Sequence, residues 1–142
     1  MTNFFTAWLL PRDEAFIAKS LNYLLVSNVI WGLMFFVLGY HHPIPAALDA
    51  RIKKPYDRLV LRHRLVCIYH GIFAWALCLY WHLQKLDLTC GKTMSNLELT
   101  LLVNTFGHFT WDMIFMKYNG FLDTGNLIHH CFGLVTYAFT FY

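Results

Sequence analysis

A chain of 142 residues is about the length of one domain. It is 58% hydrophobic and 18% aromatic, but only 13% of its residues are charged, against about a quarter in a soluble domain. With a mean hydropathy of +0.45, this balance points to a membrane protein. The net charge of +3 does not read as a nucleic-acid footprint. The basic residues flank apolar runs, where they act as orientation signals and headgroup contacts.

None of the cysteines (Cys67, Cys78, Cys90 and Cys131) forms a Cys-x-x-Cys pair. Three lie in apolar segments, where cysteine behaves as a small hydrophobe, so neither a disulfide framework nor a zinc knuckle is expected. The N-terminus does not read as a cleavable signal, since charged Arg12, Asp13 and Glu14 follow its short apolar start and no small-residue cleavage pattern follows the next apolar run, nor as a mitochondrial presequence, since residues 1–19 hold two acids and only two bases.

In chain order, residues 1–19 read as an interfacial segment built on Phe4, Phe5, Trp8, Leu9 and Leu10. Pro11 suits the first turn of the next helix. Residues 20–40 lack formal charge and would span about 30 Å as a helix, one hydrocarbon thickness, with Tyr23 and Tyr40 near the ends. Residues 41–64 read as a loop, opened by His41-His42-Pro43-Ile44-Pro45 and carrying Arg51, Lys53, Lys54, Arg58, Arg62 and Arg64. A second span is expected over 65–83, a polar loop over 84–96 and a third span over 97–116. The short connection 117–126 holds an Asn119-Gly120 turn signal, and Asp123 or Asn126 can cap the fourth span from Leu127.

The expected fold is therefore all-α: an integral membrane bundle of about four transmembrane helices. The loops 41–64 and 117–126 carry seven Lys/Arg against four on the other side, placing them in the cytosol or, in a mitochondrion, the matrix.

Within this topology several polar groups fall at one depth. His70, Asp112, His129 and His130 each lie a few residues inside the same interface, about 5–10 Å deep. His108 lies one turn from Asp112 on the same face. Polar groups are costly in lipid and need a reason to be there. A carboxylate beside imidazole can tie helices together, support general-base chemistry or headgroup binding, or ligate a metal such as zinc. Helix pairing is the expected role, with no metal site. His129 and His130, as neighbours, point about 100° apart, so one can face Asp112 while the other faces elsewhere. His41, His42 and His82 read as solvated or interfacial, and Asn28 and Asn104 as helix–helix hydrogen-bonding groups. Arg62 and Arg64 read as headgroup anchors able to meet an acidic ligand such as a phosphate or CoA.

Three stretches resemble the TLC-domain family, which includes ceramide synthases. Arg62-His63-Arg64-Leu65-Val66-Cys67-Ile68-Tyr69-His70-Gly71 is similar to its basic–hydrophobic–His opening of an early helix. Phe109-Thr110-Trp111-Asp112-Met113 resembles its aromatic-x-x-Asp segment. Asp123-Thr124-Gly125-Asn126-Leu127-Ile128-His129-His130 resembles its Asp-x-x-x-Leu-x-His-His block. The resemblance covers residues 62–142 and implies a partial TLC-like transmembrane domain over 20–142, enclosing a lipid-sized cavity. It implies that His129 or His130 would activate a nucleophile or carry an acyl group, oriented by Asp112, in an acyl-CoA-dependent transfer. His70, His108, Arg62 and Arg64 would meet lipid or partner.

The family domain usually continues beyond the His-His helix, where this sequence ends. The expectation is therefore a non-catalytic structural or lipid-binding accessory subunit of a larger membrane complex. The expected site is the mitochondrial inner membrane or the endoplasmic reticulum. Membrane lipids and other membrane subunits are the expected partners, with a bound phospholipid and no cofactor. The alternative is a lipid acyltransferase or a lipid-sensing protein.

Overall fold

The computed structural model describes residues 14–84 and 95–140, the last four of these by backbone alone. Most of the expected interfacial segment and of the 84–96 loop lie outside the described residues. Among the described residues the fold is all-α, with no strand. The helices are α1 (Glu14–His41), α2 (Ala46–Asp49), α3 (Pro55–Leu83), α4 (Asn96–Tyr118) and α5 (Thr124–Thr140).

Local sequence sets the boundaries. Pro55 occupies the first turn of α3, where its missing N–H costs nothing, and Lys54 before it is extended. Ser95 and Glu98 form a reciprocal capping box on α4: the Glu98 N–H donates to Ser95 Oγ at 3.2 Å and the Ser95 N–H to Glu98 Oε2 at 2.7 Å. Gly120, at φ 75°, ends α4 in the left-handed region, as the Asn119-Gly120 signal predicts. Asp123 caps α5, its Oδ1 accepting from the Asn126 N–H at 2.7 Å.

Basic residues did mislead one boundary. The stretch read as a loop over 41–64 contains α2 and the first turns of α3, so Arg58, Arg62 and Arg64 are helical. Arg62 does not point only outward. Its Nη1 donates to Tyr40 O at 2.6 Å and its Nε to His42 O at 3.0 Å, satisfying carbonyls that the end of α1 leaves open.

The long helices alternate in direction. On α1 and α4, partner numbers rise together: Ser27 Oγ donates to Val103 O at 2.8 Å, Trp31 Nε1 to Asn104 Oδ1 at 2.9 Å, and Asn119 Nδ2 to Tyr40 Oη at 3.0 Å. Those helices are parallel. His63 meets Asp112 and His70 meets His108, so α3 runs opposite to α4. Asp112 meets His130 and Phe109 lies against Gly133, so α5 also opposes α4.

Helix α4 is the centre. It packs on α1, α3 and α5, while α1 also packs on α3. Ten α4 side chains or glycines are buried, among them Asn104, Thr105, His108 and Asp112. Glycines let its rings approach the neighbours. A Cβ on Gly32 would lie 2.8 Å from the Trp111 ring, and one on Gly39 would lie 2.7 Å from Phe115. Trp31, Phe35, Val66 and Phe115 form the apolar core.

The outer faces of α1 and α3 carry many exposed apolar side chains. Leu21, Leu25, Leu33 and Phe36 on α1 and Ile72, Trp75 and Leu83 on α3 are all more than half exposed. Helices α1 and α3 are long and apolar enough to cross a membrane.

Candidate functional site

Asp112 is 4% exposed and uses both carboxylate oxygens. His63 Nε2, from α3, hydrogen-bonds Oδ1. His130 Nε2, from α5, lies 2.9 Å from Oδ2. One carboxylate thus joins three helices. Each imidazole nitrogen facing it must carry its proton to donate, which fixes the ring's role. The cluster is also sulfur-bearing. Cys67 Sγ, one helical turn after His63, lies 3.7 Å from both His63 Nε2 and Asp112 Oδ1.

Aromatic rings hold the His63 imidazole. Phe115 stacks on it at 5.7 Å with a 7° interplanar angle, and Phe121 meets it edge-on at 5.1 Å. Phe109 presses edge-on against His130 at 4.9 Å. The orientation of both imidazoles is therefore fixed by packing as well as by Asp112.

A turn further along, His70 and His108 stack face to face at 3.8 Å and 2°. Trp31 closes on His108 edge-on at 4.8 Å. The polar groups thus form two tiers, a carboxylate tier (His63, Asp112, His130, Cys67) and an imidazole pair (His70, His108).

Both tiers open onto a cleft of about 930 Å³, walled by α3, α4 and α5. Its floor is His63, Cys67, His70, His108, Asp112 and His130, while Val60, Leu61, Met116 and Phe121 give it apolar surface. Arg64, Asp57 and Asn126 place charge and hydrogen-bonding groups on its lining. A second cavity of about 640 Å³, against Val26, Ile30, Met34 and Phe73, is almost wholly apolar.

Of the residues singled out in the sequence, Asp112, His130, His70 and His108 do converge. His129 does not reach the carboxylate; it is exposed, with its ring 5.3 Å from that of His130, and it borders the cleft. The 100° step between neighbours explains the split. Arg62 binds α1 carbonyls, and Arg64 is exposed on the cleft. His42 is held by the Tyr69 hydroxyl instead of being solvated alone. Asn28 bonds within its own helix, to Leu24 O at 2.8 Å, whereas Asn104 does link helices, through Trp31.

Sequence reasoning missed His63 and Cys67. Starting the second span at residue 65 left His63 in a basic loop, and treating cysteines as hydrophobes passed over Cys67. The signal was present: His63, Cys67 and His70 recur at i, i+4 and i+7, one stripe of a helix.

Comparison with known protein families, curated proteins and solved structures finds no match for this chain.

Proposed function

We propose that this chain is a TLC-like integral membrane protein that binds a lipid in the α3–α4–α5 cleft and serves as a non-catalytic, lipid-binding accessory subunit of a larger membrane assembly. In this reading α4 and α5 also cross the bilayer, making four spans. Their alternating directions support it, and so does burial of α4's polar residues against its neighbours, which removes the cost of placing them in hydrocarbon.

The observation that carries the lipid reading is the cleft itself. Its volume of about 930 Å³ is that of a pocket for a sizeable ligand. It joins apolar walls suited to an acyl chain to a polar floor and Arg64, which suit a headgroup. Asp112 supports the non-catalytic part, because both its oxygens are engaged in holding α3 and α5 to α4.

The test is to extract the full chain with its surrounding bilayer in polymer-bounded discs and compare its lipids with those of the bulk membrane. Enrichment of one lipid class, lost in Leu61→Trp, is the expected result. Bulk lipid composition in both proteins would overturn it.

A second reading, acyl transfer, is favoured by one feature: exposed His129 beside a His130 held on a carboxylate. It requires His129→Ala or His130→Ala to alter membrane acyl-lipid profiles. Unchanged profiles in both variants remove it.

A further inference from the structure

The geometry points to a divalent metal site of the zinc class at His63, Cys67 and Asp112, a proposal independent of any lipid in the cleft. One donor atom from each residue lies within 4.8 Å of the others. Imidazole nitrogen, thiolate sulfur and carboxylate oxygen are the zinc donor set. In a tetrahedral zinc site, sulfur sits about 3.6 Å from a neighbouring nitrogen or oxygen ligand. Cys67 Sγ lies 3.7 Å from both His63 Nε2 and Asp112 Oδ1, so two edges of the tetrahedron already have their length, and the third, now the direct His63–Asp112 hydrogen bond, opens by about 1 Å when both reach one ion.

The backbone explains this convergence. His63 and Cys67 are one turn apart on α3, hence on one face, and that face packs on α4 at Asp112. The stack of Phe115 on His63 holds the ligand ring in orientation. His130 then has a distinct role. It binds the other carboxylate oxygen at 2.9 Å and orients Asp112 from outside the ligand set, as supporting residues around metals do. Three protein ligands leave a fourth position for water or a cleft ligand.

Charge favours the ion. Binding releases the Cys67 thiol proton and exchanges the His63–Asp112 hydrogen bond for bonds from each to the metal, the Nε2 proton being lost or moved to Nδ1. A dication with one thiolate, one carboxylate and a neutral imidazole has no net charge, the least costly state for a buried polar cluster.

The test uses the full chain in lipid discs, stripped with a chelator and then given Zn²⁺ or Co²⁺ alone. One zinc per chain should survive desalting. Co²⁺ should give the visible bands of a four-coordinate ion and a near-ultraviolet thiolate charge-transfer band. Cys67→Ser should abolish that band and His63→Gln should weaken retention at least tenfold, while Cys78→Ser and Cys131→Ser change neither. His130→Ala should weaken affinity about 10–100-fold. Circular dichroism checks that each variant is folded. X-ray absorption of the zinc-loaded wild type gives a readout that needs no variant, expected to show one sulfur ligand. No retained metal, a shell without sulfur, or retention unchanged in folded Cys67→Ser and His63→Gln would each overturn the site.

Discussion

The Oδ2 of Asp112 on α4 lies 2.9 Å from Nε2 of His130 on α5, although the adjacent His129 is exposed to the cleft. The pair assigns two roles that the sequence leaves undecided between the members of the His-His doublet. His130 is a tie between helices, and His129 is a group available to whatever enters the cleft.

A double-mutant cycle measures that separation. Asp112→Ala should destabilise the bundle by about 3–5 kcal/mol, since it strands two buried imidazoles that were paired. Asp112 and His130 should couple by about 1.5–3 kcal/mol, and Asp112 and His129 by less than about 0.5 kcal/mol. Denaturant-driven unfolding in mixed micelles reads both values. Equal coupling to His129 would contradict the geometry.

Helix α5 is docked through Gly133. A Cβ there would collide with the Phe109 ring, so Gly133→Leu should lower stability by about 1–3 kcal/mol. Phe109→Ala in the same chain should recover part of that loss. Thermal unfolding of the three variants decides it; additive losses would mean that the ring is not the obstacle.

Arg62 should matter through its geometry more than its charge. Arg62→Lys keeps the cation but cannot reproduce the fork on Tyr40 O and His42 O. A loss of about 1–2 kcal/mol is expected for Lys, against no more than about 0.5 kcal/mol for Arg64→Lys at its exposed position. Chemical denaturation compares the two, and equal losses would assign Arg62 an ordinary surface role.

If α1, α3, α4 and α5 all span a bilayer as proposed, their alternating directions predict sidedness. With native cysteines replaced, single cysteines at Lys53 and Lys117 should react with an impermeant thiol reagent from one face of sealed vesicles. Cysteines at Glu14 and Asn96 should react from the other. The basic-rich face should be the cytosolic or matrix one. Labelling of Lys53 and Asn96 positions from the same face would rule out four alternating spans.

How much of this was legible in the chain depends on the range of the physics involved. Length, apolar composition and Pro/Gly/Asp punctuation are local, and they determined an all-α protein, the C-terminal end of α1 and the Asn119-Gly120 turn, and narrowed the cap of α5 to Asp123 or Asn126, of which Asp123 serves. Charge was a weaker guide to helix boundaries, because a helix can run on through arginines whose guanidinium groups find carbonyls, as Arg62 does. Depth arithmetic at 1.5 Å per residue placed Asp112, His70 and the histidine doublet at one level with His108 a turn away; it holds for Asp112 and His130, but His70 stacks on His108 a turn further along. Rotation about each helix axis was decided only by packing. The glycine faces of α1, the rings of α4 and the seat of Phe109 against Gly133 set which side of each helix turns inward. That rotation chose His130 over His129, stacked His70 on His108, and turned His63 and Cys67, two residues that sequence reading had set aside, onto Asp112.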